Sequence, residues 1–495
     1  MKRHTIRLMP LGKELLVNDQ TPLIDVLNEF GIEFPCGGRG VCGKCKVRLL
    51  QGDMEVTVTH RRKLEKLGLS SGWRLACFSR CTSDITLEIE QFEQIILADE
   101  SRFDFIPKSG YGVAVDLGTT TIVAQLMDLS TSAVVEAETM LNPQLRFGSD
   151  LISRIQACLD GHAGEMGRII RQAIGDLIEK MLIKHAVKIN EVVMVGNTVM
   201  QHIFSFSDVS PLSVYPFQAV DTGMKTFTSA ELDWNFQVSG SIRFFPSIGS
   251  FVGSDVLAGI AATGLYRKDN ITALIDLGTN GEIVMGNSER IVCASTAAGP
   301  AFEGSNISMG MLAVTGAISS LKLAGEKMVA RVIGNTSPRG ICGSALIDAV
   351  ALLRKLNRIG SFGEIMSGED RTRLVDHINL TQRDINEFQL AKAALAAGMV
   401  ILADTLSIQL SDLQEIYVAG GFGNFINLQH VTETGMIEFP HEKIHKKGNT
   451  ALIGAKMFLL SDQVNADEIL SKASHISLEA HPRFQDIFVE KMLIP

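Results

Sequence analysis

No apolar run in this chain approaches the roughly 20 residues that a membrane span requires. The longest candidate, 393–402, is short and bounded by Lys392 and Asp404. The opening Met1-Lys-Arg-His-Thr-Ile-Arg7 lacks the apolar core of a signal peptide. Both absences point to a cytoplasmic protein with no membrane partner. A strong excess of one charge is missing too. The net charge of −9 over 495 residues argues against a nucleic-acid partner. Residues 1–94 carry 14 Lys/Arg and 12 Asp/Glu against 32 and 43 in the remainder, so the N-terminal part has no acidic bias. With 20% charged and 46% hydrophobic residues the chain is not disordered, and its length suits about three domains with sizeable cores. Cysteine is scarce except in one place, where five of the eight lie between Cys36 and Cys81. A disulfide framework does not suit a large cytoplasmic protein, so the clustering calls for another chemistry.

The rest of the chain is organised around Ala114-Val-Asp-Leu-Gly-Thr-Thr-Thr-Ile-Val-Ala124. It reads as a strand that reaches a carboxylate, turns tightly on Gly118 and leaves through three threonines. The pattern returns 160 positions later as Ala273-Leu-Ile-Asp-Leu-Gly-Thr-Asn-Gly-Glu-Ile-Val284. Such a turn supports phosphate binding. Glycine allows close backbone approach, hydroxyl and N–H groups donate to phosphate oxygens, and Asp holds hydrated magnesium. One copy alone reads equally well as a plain β-hairpin. Two copies suggest two versions of one domain facing each other.

Before the first hairpin, 4–9 and 13–17 read as paired strands through Pro10-Leu-Gly12, and Thr21 as the N-cap of a helix carrying Leu23, Val26, Leu27 and Phe30. Then comes Phe34-Pro-Cys-Gly-Gly-Arg-Gly-Val-Cys-Gly-Lys-Cys45, with Cys77 downstream. The spacing C-x5-C-x2-C followed by a distant fourth cysteine lets a glycine-rich loop wrap a compact inorganic core. A zinc site is the alternative, with Cys77 and Cys81 as a second knuckle, but zinc sites usually pair two short knuckles and lack this loop. The segment resembles the [2Fe–2S] ferredoxin family, in its adrenodoxin-like branch. The resemblance implies a β-grasp fold with Cys36, Cys42, Cys45 and Cys77 as cluster ligands and Cys81 as a spare thiol. His60-Arg-Arg-Lys63 on a helix at 62–68 reads as a solvated face, or as a docking patch for an electron-transfer partner.

Residues 93–110 read as a linker. Strands are expected at 121–128 and 133–139, a helix at 168–187, and a buried strand from Glu191 to Gly196-Asn-Thr198. Ligands bind at the carboxyl ends of strands in open α/β sheets, so Asn197 is either a cleft residue or a helix cap. Asp255 is either an N-cap or a group that orients water or magnesium. Glu415-Ile-Tyr-Val-Ala-Gly-Gly-Phe-Gly423 is a strand running into glycines on which an adenosine can lie flat.

This order resembles the ASKHA superfamily of acetate and sugar kinases, Hsp70 and actin. The matching motifs are Asp116–Thr121, Asp276–Glu282 and Ala419–Gly423. The implied architecture is α/β: a β-grasp [2Fe–2S] ferredoxin domain (1–92), a linker (93–110), and a two-lobed ribonuclease-H-like ATPase (111–270 and 271–495, the latter with a C-terminal helix). A ferredoxin joined to such an ATPase is similar to the reductive activators of corrinoid proteins. Gly196-Asn-Thr-Val-Met200, Ala298-Gly-Pro-Ala-Phe-Glu-Gly304, Gly340-Ile-Cys-Gly-Ser344 and the closing Phe488-Val-Glu-Lys-Met-Leu-Ile-Pro495 fit that family. Larger relatives carry an extra domain between ferredoxin and ATPase, for which an 18-residue linker has no room.

The resemblance implies an ATP-hydrolysing electron-transfer activase. It would pass an electron from its [2Fe–2S] cluster to the Co(II) corrinoid of a methyltransferase system and restore Co(I). A plant-type cluster sits near roughly −400 mV, and the cobalt step is harder, so the transfer is uphill. In that scheme Asp116 and Asp276 bind Mg2+ through water. Gly118, Thr119, Thr120, Thr121, Gly278, Thr279 and Asn280 lie along the phosphates of ATP, and Gly420, Gly421 and Gly423 border adenosine. Asp255 or Glu282 positions the hydrolytic water, and residues 299–306 form either a partner-facing loop or a tight interlobe turn. A cellular electron donor and a homodimer are further implications. The alternatives are an activator of a radical dehydratase, a small-molecule kinase with a redox-sensing ferredoxin domain, and a non-catalytic redox scaffold.

Overall fold

The structure is a computed structural model. It describes residues 2–9, 13–27, 32, 38, 40, 45–66, 69, 72–89, 105–296, 298–304, 306–421, 423, 425–461 and 464–495. In the N-terminal domain the strands Arg3–Met9 and Lys13–Asn18 pair antiparallel. Ile85–Glu88 runs parallel to Arg3–Met9, and Lys46–Gln51 and then Trp73–Leu75 complete a five-stranded sheet. This is a β-grasp. Ile6, Leu8, Val47 and Leu87 alternate inward along their strands and pack with Leu23 and Leu27 of the helix Leu23–Leu27.

Two local expectations change here. Thr21 is not a helix cap: Thr21–Pro22 pairs with Arg80–Cys81, and the Thr21 hydroxyl donates to the Asn18 carbonyl at 2.7 Å. His60 is not on a solvated face. It lies on the helix Val58–Lys66, fully buried, its Nε2 accepting from the Leu75 N–H at 3.0 Å and its ring stacked on Phe78. Arg61 and Arg62 remain exposed. The turn at 10–12, Phe30, Cys36 and Cys42 lie outside the described residues, as does most of the linker. At its end the Lys108 N–H donates to the Leu129 carbonyl, which pins the chain to the next domain.

That next domain is built on one sheet order used twice. The first lobe places Val134–Leu141, Thr121–Asp128, Tyr111–Leu117, Ile189–Gly196 and Ile242–Phe244 side by side. The first three are antiparallel and the last two join in parallel. The second lobe repeats this with Ile291–Thr296, Gly281–Gly286, Thr272–Leu277, Glu415–Ala419 and Ile444–Gly448. Each lobe adds one edge strand, Lys225–Phe227 or Ala473–His475. Asn197 caps the helix Thr198–Ser205, accepting from the Met200 N–H at 2.9 Å. Thr381 and Asp384 form a capping box at the start of Gln382–Leu406. That 25-residue helix is long and apolar enough to cross a membrane by length and composition, yet it is the core helix of the second lobe. Lys392 within it is buried and donates to the Leu493 carbonyl of the C-terminal tail at 2.5 Å.

A third apolar core lies between the lobes. The helices Ser254–Thr263 and Thr450–Leu460 cross there, and the Phe245 and Phe458 rings stack at 4.3 Å. The crossing is as close as backbones allow, since a Cβ on Gly454 would fall 2.1 Å from the Ala258 carbonyl oxygen. Gly454→Ala should therefore destabilise the protein by about 1–3 kcal/mol through overpacking, read as a lowered thermal midpoint.

Candidate functional site

The two Asp-Leu-Gly-Thr hairpins face each other across a cavity of about 560 Å3 lined by both lobes. In the first, Gly118 sits where a Cβ would come 2.6 Å from the Thr121 carbonyl oxygen, and its N–H donates to that oxygen at 3.0 Å. The carbonyls of the turn are held from behind. Asn142 Nδ2 donates to Gly118 O and the Asn142 N–H to Thr120 O, both at 2.9 Å, while the buried Arg154 guanidinium donates to Thr119 O. Thr119, Thr120 and Thr121 line the cavity. Asn197 serves both alternatives at once: it caps its helix and donates through Nδ2 to the Thr119 hydroxyl at 3.0 Å. In the second hairpin the Gly278 N–H donates to Asn280 O at 3.0 Å, and Gly278, Thr279 and Asn280 line the same cavity.

Four carboxylates line the cavity. Asp276 and Glu282 are directly opposed across their hairpin, an arrangement that is destabilising for like charges. Asp116 and Asp255 come from the first-lobe side. Burial, with repulsion from Asp255 and Asp116, pushes Asp276 up to about 7. Burial raises Asp116 to about 6 against a hydrogen bond from Asn449 Nδ2, and raises Asp255 to about 7 with Asp116 adding repulsion. Burial and the charges of Asp255 and Asp276 drive Glu282 well upward. Among the described residues no three acids converge closely enough to ligate a metal directly, so a divalent cation such as Mg2+ would be held here through water, its charge offsetting theirs. Asp255 is not an N-cap; Gly253 holds that position, and the Asp255 carboxylate instead accepts from the Val256 N–H.

Beyond the two hairpin turns the cavity is lined by Gly420, Gly421 and Phe425 and by an apolar end of Met311, Leu312, Ile333 and Cys342. A Cβ on Gly420 would fall 2.3 Å from Leu277 O, so the glycine turn lies flat against the second hairpin. Gly423 does not line the cavity. Its N–H donates to Gly420 O and closes the turn behind.

Several of these groups carry no signal of their role in the sequence. Asn449 is the N-cap of Thr450–Leu460, and only the fold carries it to Asp116. Asn142 and Arg154 hold the first turn from outside any motif. Glu303, within the Ala298–Gly304 stretch, bridges the lobes. It accepts from the Thr120 hydroxyl at 3.1 and 3.2 Å and from the Thr279 hydroxyl at 2.8 Å. Glu303 thus reaches both turns from the segment just after the helix Gly299–Phe302, and Gly343 packs against that helix so closely that a Cβ would fall 1.8 Å from Phe302 O.

In the N-terminal domain Cys45 Sγ and Cys77 Sγ lie 3.2 Å apart, although 32 positions separate them. The Ala76 N–H donates to Cys45 O at 2.8 Å and fixes the approach. Gly40 has φ of 69°, and a Cβ there would meet the Phe78 ring at 2.3 Å. Converging thiols near Gly40, a position that only glycine can take, fit an iron–sulfur cluster.

Three family models match the chain: the 2Fe-2S iron-sulfur cluster binding domain over residues 6–82, the RACo middle region over 111–268, and the C-terminal ASKHA domain of RACo over 270–495. The corrinoid activation enzyme RamQ of Eubacterium limosum is 29% identical, with 97% of each chain covered. A [Co(II) methylated amine-specific corrinoid protein] reductase of Methanosarcina barkeri is 26% identical over 74% of this chain and 73% of its own. Among solved structures, a reductive activator for corrinoid, iron-sulfur protein is 28% identical with a TM-score of 0.71, covering 99% of this chain and 98% of that one. A ferredoxin domain, a middle region and an ASKHA domain follow one another in the same order along nearly the whole length, and the chain belongs to the RACo family of reductive activators.

Proposed function

We propose that this chain is an ATP-dependent reductive activator that restores Co(I) in the Co(II) corrinoid of a methyltransferase system's corrinoid protein. The observation that carries the reading is one chain holding both converging thiols, Cys45 and Cys77, and an interlobe cavity faced by two phosphate hairpins. When bound by Cys36, Cys42, Cys45 and Cys77, a [2Fe–2S] cluster supplies one-electron chemistry at low potential. Asp116 and Asp276 would hold Mg2+ through water. The Thr119, Thr120 and Thr279 hydroxyls donate to the phosphates, Gly420 and Gly421 lie against adenosine, and the apolar end takes the base.

The hairpins belong to different lobes, so a triphosphate touching both binds best when the lobes are together. Differential affinity of that kind is what lets ATP bias a conformational equilibrium. By linkage, a lobe state favoured by ATP can bind the corrinoid partner with a different affinity from the ADP state. An uphill transfer thereby gains a driving force. We read the activator as a cytoplasmic homodimer fed by a cellular electron donor, with no nucleic-acid or membrane partner. Sedimentation would show a single subunit mass if the dimer reading is wrong.

The direct test is anaerobic. Reduced, iron-reconstituted protein is mixed with a Co(II) corrinoid methyltransferase subunit, and the visible spectrum is followed with and without Mg-ATP. Co(I) should form only with Mg-ATP. ATP turnover without Co(I), across several corrinoid partners, would overturn the assigned acceptor.

A further inference from the structure

We propose that Glu303 is the general base of ATP hydrolysis, taking a proton from the water that attacks the terminal phosphate. The proposal rests on the ATPase reading above and names a residue that reading leaves out.

Its position carries the argument. Thr120 belongs to the phosphate turn of the first lobe and Thr279 to that of the second. Their hydroxyls are 2.9 Å apart, and both donate to Glu303. The carboxylate therefore occupies the gap where the two turns come within one hydrogen bond of each other. A triphosphate that engages both turns brings its terminal group to this gap. When phosphate oxygens take the two hydroxyls, the carboxylate loses those donors and faces the phosphate across the space of a water molecule. A general base must stand at that distance from its proton, directly or through one water.

Glu303 also differs electrostatically from the other acids of the cavity. Asp116, Asp255, Asp276 and Glu282 act on one another by repulsion, a charge that a hydrated cation would offset. The charged groups facing Glu303 are Arg154 and Asp150, from the helix Leu151–Ala157 and its cap. Burial lifts Glu303 to about 7, and the hydrogen bonds from Thr279 and Thr120 and the charge of Arg154 only partly offset it. A carboxylate there is ionised on the basic side of neutrality and basic enough to accept a proton from water. Its backbone is braced, because Gly343 abuts the Phe302 carbonyl.

In the step, an O–H bond of water breaks and the proton goes to Glu303. The water oxygen bonds to phosphorus as the bond from phosphorus to the ADP oxygen breaks, and that electron pair leaves with ADP. Glu303 returns the proton to solvent when phosphate departs.

The test uses the full-length, cluster-loaded protein. Glu303→Gln should lower kcat for ATP hydrolysis by about 10²-fold or more, while Kd for a non-hydrolysable ATP analogue stays within about threefold. In the unsubstituted protein kcat should rise with pH through about 7 and then level, because the base must be ionised. The residual rate of Glu303→Gln should lack that rise. Glu303→Ala should regain turnover in proportion to added formate, which a purely structural role would not allow. A kcat within about threefold of the original in Glu303→Gln, with binding intact, overturns the proposal. So does a collapsed Glu303→Gln protein together with a Glu303→Ala protein that formate cannot rescue. If the unsubstituted protein neither binds nor hydrolyses ATP, the ATPase reading falls and takes this one with it.

Discussion

Asp116→Ala should reduce ATP-dependent Co(I) formation by about 10²-fold or more while leaving the visible spectrum of the iron–sulfur centre unchanged. Asp116 is the penultimate residue of the central strand of the first lobe, half-buried in the cavity wall, and Asn449 donates to it from the second lobe at 2.8 Å. It is thus both a carboxylate for the cation and a tie between lobes. Its removal takes one negative charge from the group that would hold Mg2+ and leaves the Asn449 amide without its partner. Neither loss reaches the N-terminal domain, whose core is separate. Stability of the nucleotide-free protein should change little, because deleting one of four crowded acids also relieves repulsion. The change should appear as a loss of thermal stabilisation by Mg-ATP, which for a ligand at 100 times its Kd amounts to about 2.7 kcal/mol. Full Co(I) formation by Asp116→Ala would remove the cleft from the mechanism.

The second large effect is the reverse separation. Cys77→Ser or Cys45→Ser should abolish the visible iron–sulfur absorption and bring Co(I) formation to background. ATP turnover should remain within about twofold of the original, since substitutions far from a site act nearly independently of it. The two sulfurs converge from a loop and from the short turn Ala76–Phe78, and serine is a poor substitute for a soft thiolate toward iron. Cys45 is fully buried in the small apolar core, so its substitution carries a stability cost that half-buried Cys77 avoids. Cys77→Ser is therefore the cleaner test. If ATP turnover fell with the cluster in that variant, the two halves of the chain would be coupled through the ground state rather than through the partner.

Much of the architecture was legible because its causes are local. A Gly-Thr turn after an apolar strand has the same backbone requirement in both lobes, and Gly118 meets it through the close Thr121 carbonyl. The cysteine spacing and its glycines are similarly a property of one loop. The glycine run after Glu415–Ala419 follows from a backbone packed flat on the second hairpin. Thr21 and His60 went astray for one physical reason. Each can satisfy its polar atoms locally, as a cap or in solvent, but strand pairing with Arg80–Cys81 and the Leu75 N–H offered partners far along the chain.

The sequence by itself determined the two Gly-Thr turns, the cysteine spacing, the sheet-forming segments and hence the family. Only the tertiary structure decided how those parts act together. Glu303 is 183 positions from Thr120, and Asn449 is 333 from Asp116, so no periodicity or spacing connects them. The pairing of Asp276 with Glu282 is a matter of hairpin register, and the collection of four acids depends on two lobes closing over one cavity. Local chemistry specifies what a turn can bind. Which carboxylates surround it, and which of them is left to accept a proton, is set by long-range packing around the crossing of Ser254–Thr263 and Thr450–Leu460.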